Sequence, residues 1–476
     1  MASSLHAQTS TPSLGPWVQV NTVGSGAIAP GYRIDDVKTV SPNVAWAVAR
    51  ESSTGSRPQY FFVTKNAAGD QFDFGALNAI GNGGSANYQA GNISGVTATV
   101  AVAATYPVAG AGGELLRTAN GGVSWTKVSL ASQFVANKNG FCNFVHMFDA
   151  NEGVSLGDPT DGYYEVLRTT NGGLTWTRVP QAGIAAPLAN EYGLTRSFFA
   201  RGNTIWAGLG SSVDTNPVRV LKSTDRGVTW TASAVTTLLG GITRLAFKDD
   251  LNGIAFNTKV DAAGTATGEV NVIRTSDGGA TWSPITPVNA STGSFYYYDI
   301  DAVNGRYYSV GQRFPASSPG VAVDFGSSYS TDGINWTSVN TSQGFFAFDV
   351  VTGATTGTVA GYAGAATDAN GVGGLYKASN VVALATRNAA LQGTLSVYPN
   401  PSASGLFQVD LGSSLKAGAQ LTVFDVVGRQ VQTRALNAAA IGAKTLSLDL
   451  SGEKAGVYTL QIRTESGIAT QKLVIE

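Results

Sequence analysis

The sequence predicts an all-β chain, a seven-bladed β-propeller followed by a small β-sandwich, and three observations carry that prediction. Five segments repeat one pattern: Thr118 to Trp125 (TANGGVSW), Thr169 to Trp176 (TTNGGLTW), Ser223 to Trp230 (STDRGVTW), Thr275 to Trp282 (TSDGGATW) and Ser330 to Trp336 (STDGINW). Their tryptophans lie 51, 54, 52 and 54 residues apart, close to the period of a propeller blade. Between them run short apolar strands parted by Asn, Asp and Gly turns, with no long helical period.

Each repeat reads as a hairpin. The carboxylate or amide of Asn120, Asn171, Asp225, Asp277 or Asp332 folds back onto turn amides, and glycine supplies positive φ. The tryptophan, Trp125, Trp176, Trp230, Trp282 or Trp336, buries a large ring between sheets. This chemistry makes the residues structural, not catalytic. The pattern resembles the Asp-box, or BNR repeat (S/T-x-D/N-x-G-x-T/S-W), over roughly residues 16–380; the fifth copy is one residue shorter between Asp332 and Trp336.

Taken in order, residues 1–15 (MASSLHAQTS onward) read as a signal-peptide remnant or disordered start, with Leu5-His6-Ala7 before Gln8 as the tail of a cleaved leader. Blade one is degenerate: Arg33 to Val40, Val44 to Arg50, Tyr60 to Thr64, and Phe72 in the place of a box tryptophan, 53 residues before Trp125. Blade three reads FVHMFD, ANEG, VSLGD, PTDG, YYEVLRT, box, WTRV, and blade five repeats the plan from ITRLAFK to WSPI. The last blade, Phe345 to Ser379, stops after its third strand. Trp17 to Val20 resembles the strands that follow the boxes and would complete it, closing seven blades without a free edge. Six blades and a stray strand is the alternative.

Across 476 residues, 59 glycines and 43% hydrophobic content suit a turn-dense β protein of more than one domain. A net charge of −1 gives no field for nucleic acid, and no run of eighteen apolar residues suggests a transmembrane segment. One cysteine, Cys142, sits in an apolar strand and reads as a buried inert thiol; two histidines, His6 and His146, make no zinc cluster. Neither metal nor cofactor is expected.

Residues 381–394 form a linker, and 395–476 alternate apolar and polar residues in short strands, the pattern of a small β-sandwich. This segment closely resembles the type A sorting domain of the type IX secretion system of Bacteroidetes. The matching residues are Tyr398-Pro399-Asn400-Pro401, Phe424 to Arg429 (FDVVGR), Gly456-Val457-Tyr458 and Lys472 to Ile475 (KLVI). The resemblance implies the type IX machinery as partner, export across the outer membrane, and a secreted or cell-surface propeller.

A ligand is expected on the face opposite the boxes, where the loops between second and third strands vary in length: GDPTDG in blade three, Asn257 to Glu269, Gly311 to Gly326 and Tyr362 to Gly373 in blades five to seven. Aligned innermost strands place Asp36, His146, Arg196, Arg244, Asp299 and Asp349 at one position, with Gly95 in blade two and Asp158 in a short loop on the same face. Charges in apolar strands imply a side facing water or a partner. Two readings stand: a solvated pore wall with Arg and Asp paired across it, or a ligand site in which Arg196 and Arg244 oppose an acidic arc of Asp36, Asp299 and Asp349. Tyr296, Tyr297, Tyr298, Phe345, Phe346 and Phe348 read first as core, with sugar stacking as the other use.

The Asp-box resemblance includes sialidases and some endoglucanases. A sialidase would show F/Y-R-I-P, from which Tyr32-Arg33-Ile34-Asp35 departs at the proline. A two-carboxylate hydrolase needs acids about 5 to 9.5 Å apart, which Asp36, Asp299 and Asp349 could supply. The repeat also resembles the photosystem II assembly factor family, whose members are protein-binding platforms. The reading preferred from sequence is a non-catalytic module for a glycan or protein ligand; the alternative is a glycoside hydrolase.

Overall fold

The computed structural model describes residues 14, 16–22, 31–51, 60–64, 67–69, 71–72, 88–260, 266–290, 293–314, 322, 324–353, 358–368, 373–378, 395–411, 419–426, 429–436, 442–464 and 467–476. The chain divides into two compact units, one spanning Leu14–Asn380 and one containing Val381–Glu476. The leader-like Leu5 to Gln8, the linker 381–394, Val427-Gly428 of the FDVVGR motif, and loop residues 261–265, 315–321 and 369–372 lie outside the described residues.

Among the described residues, the first unit carries six four-stranded antiparallel sheets and one three-stranded sheet. Numbered in chain order, their innermost strands are Tyr32–Ser41, Tyr88–Gly95, Cys142–Met147, Glu191–Arg201, Arg244–Phe247, Asp299–Val303 and Ala347–Thr352. Each lies beside the next, and Ala347–Thr352 lies beside Tyr32–Ser41, so the innermost strands close a ring. The second strands are buried on both faces because sheets stack on either side: in Thr204–Ser211, every residue from Ile205 onward is buried. This is a β-propeller.

The ring is closed by the N-terminal strand. Trp17–Gln19 pairs antiparallel with Leu375–Ala378 as the outer strand of sheet seven, with Trp17 opposite Ala378. The chain then runs on to a separate two-stranded pair, in which Asn21–Thr22 lies parallel to Gln71–Phe72, and Phe72 bridges to Thr64 just beyond the third strand of sheet one. Phe72, expected in place of a box tryptophan, is 1% exposed and stacks on Phe62 at 5.0 Å. Leu14, ahead of the boundary drawn from sequence, is already buried with Trp17 and Phe345.

The box turns are built as their residue types require. In the second copy, Asn171 Oδ1 accepts from Thr175 N at 3.0 Å, and Thr169 Oγ1 accepts from Gly173 N at 3.0 Å. Gly173 has φ +80°, a backbone state open to glycine at little cost. Asp225 and Asp277 repeat these bonds to Thr229 N and Thr281 N. In the short fifth copy both span three residues, Ser330 Oγ to Gly333 N and Asp332 Oδ1 to Asn335 N. Trp176 is 2% exposed among Val102, Leu115, Met147 and Leu167, bridging sheets two and three. Trp176→Ala should therefore cost about 3 to 5 kcal/mol, read as a lowered denaturation midpoint with ligand binding intact at low temperature.

The second unit holds two sheets, one of Ser396–Tyr398, Leu406–Asp410 and Thr445–Asp449, the other of Ala419–Phe424, Gln430–Leu436, Gly456–Thr464 and Gly467–Ile475. They share one apolar core that includes Phe407, Leu421, Leu460 and Leu473, the sandwich that alternation predicts. The motifs meet in space: Asn400 Oδ1 accepts from Val474 N at 2.9 Å, and Gly456 pairs with Ile475. Tyr458 donates its hydroxyl to Lys454 O at 2.7 Å.

Candidate functional site

Register breaks aim side chains into the middle of the ring. The innermost strands of sheets one to four each slip against their partners, between Ile34 and Asp36, Ala90 and Asn92, Cys142 and Phe144, and Gly193 and Phe198. Such bulges re-aim side chains. The slip in sheet four is the longest and holds Arg196 at φ +58°, a conformation that costs a non-glycine residue about 1 to 3 kcal/mol.

A cavity of about 340 Å³ occupies the channel, and Asp36, His146, Arg196, Arg244, Asp299 and Asp349 all line it. Asp158 does not; it accepts from Asn143 Nδ2 at 2.7 Å and Gly193 N at 3.0 Å, tying sheet three to sheet four. Gly95 is not the equivalent residue of sheet two, because a Cβ there would meet Trp46 Cδ1 at 2.3 Å. The bulge moves that role to Asn92.

The channel side chains stitch each sheet to the next. Asp36 Oδ2 accepts from Ile93 N at 2.8 Å, and Asn92 exchanges two 2.9 Å bonds with the Val145 backbone. Asp299 Oδ2 accepts from Phe348 N at 3.1 Å and Asp301 Oδ2 from Val350 N at 2.7 Å. Asp349 Oδ2 accepts from Thr39 N at 2.7 Å, which joins sheet seven to sheet one. Sequence reasoning missed Lys38, Asn92 and Asp301. The signal for two of them was present, since Lys38 and Asp301 stand two residues from Asp36 and Asp299, on the same side of a strand.

The arginines stand on sheets four and five and the acids on sheets one, six and seven, but the two groups pair at their boundary and Lys38 adds a cation to the acidic side. Arg244 Nε lies 3.1 Å from Asp299 Oδ1, and Lys38 Nζ 2.8 Å from Asp349 Oδ1. Arg196 reaches the Asp35 carbonyl through Nη1, from sheet four to sheet one. Charges in a narrow channel are costly unless paired. Burial holds His146 well below its ordinary range, at about 3, as a neutral ring edge-on to Phe148 at 4.8 Å. The aromatic cluster is mainly core: Tyr296, Phe345 and Phe348 are 2%, 1% and 4% exposed. Cys142 is a free buried thiol whose pKa burial pushes up.

Burial pushes Asp36 up to about 7, against the opposing charge of Arg196 and the bond from Ile93. A carboxyl raised above its unfolded value binds its proton more tightly in the folded state, so its contribution is full below about pH 4 and lost as pH rises through 7. His146, depressed to about 3, contributes with the opposite slope across the same window and masks this in the wild type. Denaturant titrations from pH 4 to 8 should show wild type losing stability relative to Asp36→Asn as pH rises; a constant difference would contradict the assignment.

Residues 396–476 match the family described as secretion system C-terminal sorting domain. A chain carrying this domain is exported, to the cell surface or as a secreted protein. No curated protein matches the chain. Among solved structures, YCF48 from Cyanidioschyzon merolae is similar over 76% of this chain and 97% of that one, at 14% identity and TM-score 0.44. The BP39L lectin from Burkholderia pseudomallei is similar over 74% and 96%, at 13% and 0.45. PorZ, a bacterial surface component of the type IX secretion system of Porphyromonas gingivalis, is similar over 91% of this chain and 64% of its own, at 12% and 0.30. Likeness at such identity is one of fold alone. Among the described residues, no helix is long and apolar enough to cross a membrane and no group of three or more His, Cys, Asp or Glu could hold a metal ion.

Proposed function

We propose that the protein is a seven-bladed propeller, exported through the type IX secretion machinery, that binds a glycan or protein ligand without cleaving it, on the face opposite the box turns. One observation carries this reading: the channel carboxylates are committed to the scaffold. Asp299 and Asp349 each hold a cation and a backbone amide, and Asp36 holds the Ile93 amide. A glycosidase needs one carboxyl free to donate a proton and a second free to attack or to activate water. With the box residues occupied in their turns, the loop face is the surface left for recognition.

The hydrolase reading keeps one supporting observation, the Asp36 carboxyl at about 7, in the range of a general acid. The two readings part on the fate of a ligand. Full-length protein is incubated with end-labelled oligosaccharides that it retains on a glycan surface, and the products are separated by mass. Intact recovery supports binding alone; cleavage abolished by Asp36→Asn would establish the hydrolase.

A further inference from the structure

A second cavity, larger than the channel at about 770 Å³, opens between sheets four and five. Its walls come from the start of strand Glu191–Arg201, the loop after Thr204–Ser211, the connection Leu239 to Thr243, and the end of strand Gly253–Val260. In each sheet the loop between second and third strands lies at the end opposite the box turn, so the cleft belongs to the loop face.

The cleft is preformed. Ser211 N donates to Gly240 O at 2.8 Å and Gly240 N to Asn216 O at 2.9 Å, while Gly210 bridges Gly241. Gly240 takes φ +77°, and a Cβ there would come within 3.2 Å of Asp214 O. A rigid wall lowers the ordering cost of binding.

One atom in this wall asks for a ligand. Asn257 is 4% exposed and lines the cleft; its Nδ2 donates to Leu239 O at 3.0 Å, but its Oδ1 is buried without a hydrogen-bond partner. A buried unsatisfied acceptor is costly, so a donor brought by a ligand would relieve it. The same cleft is lined by Tyr192, Thr195 and Thr258, and by two cations, Arg244 and Lys259, against one acid, Asp214. Arg244 is turned to Asp299 through Nε, leaving Lys259 as the cation for a ligand. An aromatic face, an unmet acceptor, hydroxyls and an ammonium together suit a ring rich in hydroxyls that also carries a negative charge.

We propose that this cleft binds a saccharide bearing a carboxylate, with Tyr192 beneath the sugar ring, Asn257 Oδ1 accepting from a sugar hydroxyl and Lys259 holding the carboxylate. The proposal rests on the binding role given above and deepens it. A uronic acid polymer or a sialylated chain would present the same chemistry.

The test is titration of full-length protein with glucuronic acid, N-acetylneuraminic acid, glucose and triglutamate, followed by saturation-transfer NMR. At least one of the two acidic sugars should bind, and more tightly than glucose. Lys259→Met should weaken it about tenfold, the loss of one charge-assisted contact, and leave glucose unchanged. Asn257→Leu should weaken acidic and neutral sugars alike. Lys259 is a partly exposed residue, so its variant remains informative if Asn257→Leu folds poorly. Binding of neither acidic sugar, or equal affinity in Lys259→Met, would overturn the proposal. Displacement by triglutamate alone would make the ligand an acidic peptide and also overturn it. Loss of sugar binding in Arg196→Ala, with none in Lys259→Met, would place the ligand in the channel; that overturns the cleft and leaves the binding role standing.

Discussion

Replacing Trp17 by alanine should lower the stability of the propeller by about 3 to 5 kcal/mol, the range for deleting a buried aromatic. Trp17 lies far in sequence from its partners, yet its indole does between sheets six and seven what a box tryptophan does elsewhere. It is 8% exposed, sits 5.2 Å from Phe345 and donates Nε1 to Ser327 Oγ at 2.9 Å. Its neighbour Val18 is 58% exposed, so Val18→Ala should leave the denaturation midpoint unchanged. Deletion through Thr22 should do more, because it leaves Leu375–Ala378 as an open edge, and open edges pair between molecules. Light scattering should show that deletion variant associating. A monomeric variant of normal stability would mean that the ring does not depend on its N-terminal strand.

The second large effect concerns export. Without residues 395–476 the propeller should remain inside the outer membrane of its native host, shifting from nearly all surface-exposed to nearly all protected from added protease. The sandwich has its own two sheets and core, and among the described residues the propeller sheets include no strand from it, so the truncated propeller should keep its fold. Because Asn400 and Val474 are bonded, Asn400→Leu should reduce export by disturbing the contact between two of the sorting motifs. Normal surface display of the truncation would make the segment an ordinary accessory domain.

The fold was legible because it rests on local chemistry. A Ser or Thr, an Asp or Asn and a glycine make a turn wherever they fall at this spacing, and Trp17 betrayed the closing strand by resembling Trp125 and Trp176. The channel was legible in part: alignment of the innermost strands placed Asp36, Arg196 and Asp349 in it. Their partners were not, because pairing depends on which strand lies beside which and on where each bulge falls. The slip between Ala90 and Asn92 defeated the alignment that chose Gly95. The cleft was hidden for the same reason. Tyr192, Asn257 and Lys259 are unremarkable in sequence and gain meaning from a connection, Leu239 to Thr243, that folds back against the loop before it.

We propose a division of labour between the two faces, in which the box turns hold the sheets and the loop face binds. Hydrogen–deuterium exchange of the full-length protein, with and without a saturating ligand from the glycan surface, tests it most directly. Protection is expected in peptides covering Tyr192 to Thr195, Val213 to Gly241 and Asn257 to Lys259, with unchanged exchange in those covering Thr169 to Trp176 and Thr275 to Trp282. Protection confined to the box turns would contradict it.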